Sequence, residues 1–179
     1  MSEHPLPERV DPLRLANRDG ALQGVLGLES MPRLREAVQA MEQPAHVGLR
    51  CVREYGRMRV EGEVRAQVEL LCQRCLQPVS CSVASTFQVV PAADMNEACA
   101  LEADAEPVLL DHGLLPVHAL VEEEILLALP AVPLHADGAC TGRSGREFTA
   151  GEVEAAQKEE RGNPFAVLGR LKGDPGDGD

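Results

Sequence analysis

Between residues 60 and 70 apolar and polar positions alternate strictly: Val60, Gly62, Val64, Ala66, Val68 and Leu70 against Glu61, Glu63, Arg65, Gln67 and Glu69. A period of two sends the two sets to opposite faces of an extended chain, so this stretch predicts a strand with one dry and one wet side. Residues 81–90 repeat the pattern with Val83, Ser85, Phe87 and Val89 on one side, and residues 46–53 can flank the same strand on its other edge. Antiparallel pairing of the three is the simplest arrangement. It leaves LCQRCLQP as the turn between the last two strands.

Elsewhere the period is helical. In SMPRLREAVQAM, Ser30 is placed as an N-cap, Pro32 falls in the first turn, and Leu34, Ala37, Val38 and Met41 recur at helical spacing, predicting a helix over 31–41. In HALVEEEILLAL, Leu120, Val121, Ile125, Leu126 and Leu129 form one stripe, predicting a helix over 117–129 that Pro130 ends, with Glu122, Glu123 and Glu124 facing out. Residues 13–28 read as one or two short strands, and PVLLD at 107–111 as another. The stretch 92–106 carries five acidic residues and no basic one, the pattern of a solvated loop. The expected fold is α+β: an antiparallel, barrel-like sheet packed with two main helices, forming one domain over residues 1–140. Residues 141–179 are expected to be a flexible, mobile tail with a short helix near 164–171.

Composition narrows the function. Aromatic residues are only 2% of the chain, so the core must be Leu, Val and Ala, and there is no stacking platform for single-stranded nucleic acid. With 29 acidic against 17 basic residues the formal charge is −12, which disfavours direct RNA binding and favours a basic protein partner. Arg50, Arg53, Arg57, Arg59, Arg65 and Arg74 do cluster along the chain, and they are the candidate RNA contacts of the rival reading. Glu54, Glu61, Glu63 and Glu69 are interleaved with them. The N-terminal MSEHPLPERVDP lacks the basic-then-apolar order of a signal peptide, and no apolar run reaches membrane-spanning length, so a soluble, cytoplasmic protein is expected.

Six cysteines in a reducing compartment are expected to be thiols or metal ligands. Cys72 and Cys75 form a CxxC on a turn, and His135 with Cys140 offers a second half-site directly after the helix. Together the four could hold a structural zinc ion tying the sheet turn to the later loop. Free thiols are the competing reading, and a redox or metal-sensing pair a third; thioredoxin-like chemistry would want the pair at a helix start. Cys81 is close enough to serve as a substitute ligand, Cys51 is expected in the core and Cys99 in the acidic loop. His112 and His118 near Asp111 form a weak second cluster. No glycine-rich phosphate loop, GxSxG or HExxH is present, so neither an enzyme nor a small-molecule substrate is expected. One apolar island remains, NPFAVLGRLK at 163–172. Asn163 and Pro164 start a short helix there that carries Phe165, Val167, Leu168 and Leu171. It either docks back on the core or serves as a motif for a partner.

CQRCLQP at 72–78, VEEEILLALPAVPLH at 121–135 and NPFAVLGRLK at 163–172, in that order and spacing, resemble the YceD family of bacterial and plastid large ribosomal RNA subunit accumulation proteins. The resemblance implies a cytosolic, non-enzymatic factor for synthesis, processing or stability of 23S ribosomal RNA during large-subunit assembly. Its partner would be a ribosomal protein or a large-subunit precursor. Many relatives carry further cysteines after the helix, whereas TGRSGREF follows Cys140 here with none. For this chain the resemblance therefore implies either a reduced four-ligand site or its loss.

Overall fold

The long alternating runs become long strands. The computed structural model describes residues 4–17, 20–54, 57–101, 105–136 and 138–140. In chain order these form β1 (Arg9–Val10), α1 (Pro12–Ala16), β2 (Ala21–Leu26), α2 (Pro32–Ala37), β3 (Ala45–Glu54), β4 (Arg57–Leu71), β5 (Pro78–Ala92), α3 (Met95–Cys99), β6 (Pro107–Leu109), β7 (Leu115–Pro116) and α4 (Val117–Ala128). The expected tail helix and its decamer lie outside the described residues.

The main sheet runs β2-β3-β4-β5-β6, and β1 pairs with β7 separately. Neighbouring strands from β2 to β5 are antiparallel, with Leu49 opposite Gly62 and Gly62 opposite Phe87. The last pair, β5 with β6, is parallel, so the curled α+β sheet is a mixed half-barrel. Its inner face is the one the alternation predicts. Ala45, Val47, Leu49 and Cys51 of β3, Val60, Val64, Val68 and Leu70 of β4, and Val79, Val83, Phe87 and Val89 of β5 are all buried. They pack into one cluster with Leu34 of α2 and Val117, Leu120, Val121 and Ile125 of α4. Phe87 lies across Gly62 on this face, where an added Cβ would collide with the ring.

Three local expectations are corrected. Residues 13–28 hold a five-residue helix, α1, before their one strand, because Asp11 accepts from the N–H groups of Leu13 and Arg14 and Pro12 sits at the first helical position. The expected acidic loop contains α3, capped by the Asp94 carboxylate. The helix expected over 31–41 stops at Ala37, and Val38 is extended. Its end is set by the sheet: β4 outruns β3, and the exposed edge at Glu69 is paired by Gln39 N–H to Glu69 O at 2.7 Å and Glu69 N–H to Ala40 O at 2.8 Å. Backbone groups that would otherwise be stranded outweigh the helical propensity of four further residues.

The largest correction concerns the glutamates of α4. Glu122 and Glu124 are buried, and the helix exposes instead the stripe Ala119, Glu123 and Leu127. Ser30 does not cap α2, whose N-cap position is Met31 with no side-chain bond. The cap comes from the other helix: Glu122 Oε1 accepts the N–H of Arg33 at 2.7 Å and of Leu34 at 3.0 Å. A carboxylate at a helix start satisfies orphan donors and meets the positive end of the helix dipole, so burial of Glu122 is compensated. Glu124 points toward β5 and accepts from the Ser85 hydroxyl at 2.9 Å. Among the described residues no helix is long and apolar enough to cross a membrane.

Candidate metal centre

β4 ends at Leu71, and the chain turns through Cys72–Gln77 before β5 begins. The turn closes on itself, Cys72 N–H to Gln77 O and Leu76 N–H to Cys72 O, both at 2.9 Å. Leu76 takes a left-handed backbone, φ 58°, directly after the second cysteine, which lets both thiols face the same side. After α4 the chain passes Pro130 and returns to this turn. Gln73 N–H donates to Pro133 O at 2.9 Å, bringing the following residues alongside.

Cys72, Cys75, His135 and Cys140 therefore converge, their ligand atoms all within 4.8 Å of one another. Cys75 Sγ lies 3.4 Å from His135 Nδ1, Cys140 Sγ lies 3.9 Å from the same nitrogen, and the sulfurs of Cys72 and Cys140 are 3.9 Å apart. A tetrahedron with zinc–sulfur bonds near 2.3 Å and zinc–nitrogen bonds near 2.05 Å has edges of about 3.8 Å between sulfurs and about 3.6 Å from sulfur to nitrogen. These three spacings lie within about 0.3 Å of those edges, and the remaining pairs are within 4.8 Å. His135 Nε2 sits 3.0 Å from the Pro78 carbonyl, so that nitrogen carries the proton and Nδ1 presents its lone pair to the thiols. Three thiols and one oriented imidazole are a donor set suited to zinc.

Electrostatics divide the thiols of the cluster. Burial pushes the Cys72 thiol up, but backbone hydrogen bonds from His135, Cys75 and Arg74, with the His135 ring, outweigh it and bring it down from 9.0 to about 5. Cys72 is then a thiolate at neutral pH, the form that ligates metal. Cys140 is raised, first by burial and then by the neighbouring Cys75 and Cys72. Cys51 is raised to about 11 by burial alone, as an inert core thiol. All six cysteines are free, so no disulfide competes for the site.

The other sequence candidates are dispersed. Cys81 Sγ is directed to the Val79 carbonyl at 3.9 Å and is not among the four converging groups. Cys99 is exposed on α3. His118 Nε2 lies 3.0 Å from Leu6 O, whereas His112 is exposed on a turn 3.6 Å from Asp111, so the second cluster does not assemble. Arg57, Arg59 and Arg65 share the outer face of β4 with Glu61 and Glu63. Arg65 is paired with Glu63 at 3.7 Å, and Arg50 of β3 stands opposite Glu61. Arg53 is opposite Met58 near the strand end, and Arg74 lies in the cysteine turn. Asn163, Pro164, Phe165, Val167, Leu168 and Leu171 lie outside the described residues. Sequence reasoning missed Pro78, whose carbonyl fixes the histidine tautomer. A proline immediately before an alternating run was the available signal, since it starts the strand and fixes where the turn ends.

Comparisons with known proteins identify the family of the chain. Residues 60–172 match the family model described as "Large ribosomal RNA subunit accumulation protein YceD". The protein of that name from Haemophilus influenzae (strain ATCC 51907 / DSM 11121 / KW20 / Rd) is 33% identical over 174 residues, covering 96% of this chain and 99% of that protein. No solved structure matches. The family-model match takes in both halves of the cysteine and histidine cluster, and the relative aligns over almost the whole chain: the chain belongs to the YceD family.

Proposed function

We propose that this chain is a non-enzymatic factor for the accumulation of 23S ribosomal RNA during assembly of the large ribosomal subunit, and that it acts in the cytoplasm through a basic ribosomal protein. The observation that carries the reading is family membership, through a relative named for large ribosomal RNA subunit accumulation that aligns over nearly the full chain. Charge supports the choice of partner. At −12 the chain gains little from phosphates and much from a basic protein. In the acidic stretches near 94–106 and 122–124, Asp94, Glu97, Glu106 and Glu123 are exposed. Glu122 and Glu124 do not contribute, being buried.

Within this reading Cys72, Cys75, His135 and Cys140 hold a structural zinc ion that clasps the β4–β5 turn to the segment after α4. Cys72 is fully buried, which suits a clasp better than a sensor that must meet an oxidant. Asn163, Pro164, Phe165, Val167, Leu168 and Leu171 are assigned as a second contact with the partner. The test is co-isolation with large-subunit proteins after exhaustive nuclease treatment. A basic ribosomal protein that stays bound without RNA and leaves at raised salt is the expected result. Loss of every partner with the RNA would overturn the reading and favour direct contact by Arg50, Arg57, Arg59 and Arg65.

A further inference from the structure

Sheet edges are reactive surfaces, and this fold treats its two outer edges unequally. Along β2 the N-terminal segment closes the edge, with Leu6 N–H to Val25 O at 3.1 Å and Val25 N–H to His4 O at 2.9 Å. The overhang of β4 is closed by Gln39 and Ala40. Among the described residues, the far edge of β5 is fastened only at its ends. At one end the Pro78 carbonyl meets His135 Nε2, and at the other Val90 N–H donates to Glu106 O and Ala92 O accepts from Leu110 N–H. These three residues have even numbers, and the pairing of β5 with β4 runs without a bulge from Pro78 to Val89. In an unbroken strand, N–H and C=O of alternate residues point to the same edge. The backbone groups of Ser80, Ser82, Ala84, Thr86 and Gln88 therefore point along the open edge, and among the described residues none of them has a backbone partner there. The open stretch spans about 27 Å at about 3.4 Å per residue.

Its chemistry lacks the usual protection. Residues 78–92, PVSCSVASTFQVVPA, contain no charged side chain, and neither proline lies between Ser80 and Gln88. Edge strands are normally blunted by lysine, proline or a bulge, and none occurs on this stretch. The side chains at 80, 82, 84, 86 and 88 are exposed and small or amide-bearing, so an incoming strand meets neither bulk nor charge. Charge stands at one end: Asp94, Glu97 and Glu106 are exposed just beyond Gln88, and Glu106 joins the edge through its own backbone.

We infer that the open edge of β5 is a docking site for an extended, basic segment of a protein partner, which adds to the sheet as a further strand between Ser80 and Gln88. Main-chain bonds supply the affinity, and basic residues at the end nearest Gln88 meet the acidic group. The inference rests on the proposed ribosomal protein partner and specifies how that partner is held. A second copy of this chain is the poorer occupant, since two chains of −12 repel each other.

The test is amide hydrogen exchange on the full, metal-loaded chain, alone and with the nuclease-treated protein fraction of large subunits. In the free chain the amides of Ser82, Ala84, Thr86 and Gln88 should exchange fast while those of Val83 and Phe87 are protected. The fraction should slow the first set. Ala84→Pro removes only an outward N–H and should weaken binding about tenfold or more. The pair Ser82→Lys with Thr86→Lys leaves the backbone intact and should weaken it similarly by charge, guarding against misfolding of the proline variant. If wild type binds a ribosomal protein but these amides stay fast and both variants bind normally, the edge assignment falls while the partner reading stands. If wild type binds nothing once RNA is gone, both fall. Protection in the free chain that deepens with its own concentration, with a dimer on sedimentation, would also overturn the inference in favour of self-pairing.

Discussion

Replacing Glu122 by alanine distinguishes a buried cap from a surface glutamate. Oε1 accepts two backbone N–H groups, from Arg33 at 2.7 Å and Leu34 at 3.0 Å, and Oε2 accepts from Arg33 Nε at 3.3 Å. Glu122→Ala removes every one of these acceptors together. Leu34 is fully buried, so its N–H has no water to turn to. Loss of a cap costs about 1 kcal/mol. A buried donor left unpaired costs about 1–3 kcal/mol. The two overlap, so E122A should lower the unfolding free energy by about 2–3 kcal/mol. Glu122→Gln keeps an acceptor oxygen for the N–H groups and should lose about 1 kcal/mol, the charge-assisted part. Glu123→Ala is the control: that side chain is half exposed and bonded to Arg33, an interaction worth no more than about 0.5 kcal/mol. Urea unfolding followed by circular dichroism measures all three. A loss for E122A within about 0.5 kcal/mol of E123A would refute the cap and return Glu122 to the surface role its sequence suggests.

Elemental analysis of protein purified without a metal-affinity tag should find about one zinc per chain, and Cys75→Ser or His135→Ala should remove it. No metal, with Cys75 and Cys140 freely reactive in the folded chain, would leave the turn as reduced thiols. Glu124 gives a pH signature. Burial raises its carboxyl above the ordinary 4.5, the Ser85 hydroxyl opposes that, and the nearby Glu106 and Glu123 add to it. The folded chain then holds a proton that the unfolded chain releases, so Glu124's stability contribution is full below the unfolded value and falls as pH rises through the folded one. Glu124→Gln should flatten that descent and be the more stable form at neutral pH, measured as urea midpoints across the range. Parallel curves for the two proteins would contradict this. Gly62→Ala places a methyl group inside the Phe87 ring and should cost about 1–3 kcal/mol. Adding Phe87→Leu should recover part of that loss, and strict additivity in the double mutant would exclude the contact.

The sheet was legible because a strand with one buried face writes its period directly into the sequence. Val60, Val64 and Val68 alternate in burial as they do in hydropathy, and Val83, Phe87 and Val89 do the same across the cysteine turn. Half of the candidate metal centre was legible for a related reason: a CxxC between two such runs reads as a turn. That the turn meets His135 and Cys140 depends on Gln73 N–H finding Pro133 O, a backbone contact that carries no side-chain signature. The resemblance to YceD proteins placed both halves in one family pattern without saying how they meet.

What the sequence concealed was the width of the buried face of α4. The expected stripe is covered, with Leu120, Val121 and Ile125 buried, but the assumption that charge faces water left Glu122 and Glu124 outside, and they are only 4% and 5% exposed. The reason lies outside the helix. α2 begins at Met31 and Pro32 with no hydroxyl or carboxylate of its own to receive Arg33 and Leu34, and β5 brings Ser85 to the opposite flank. The two carboxylates flanking the expected stripe meet these groups, Glu122 on the start of α2 and Glu124 on Ser85, so both are covered. A buried polar group is thus specified by what its neighbours lack. The same reasoning carries to the open edge of β5, where unpaired N–H and C=O groups call for an acceptor and donor row that the described chain does not contain. By that rule, what the fold leaves unpaired at its surface is where a partner is to be sought.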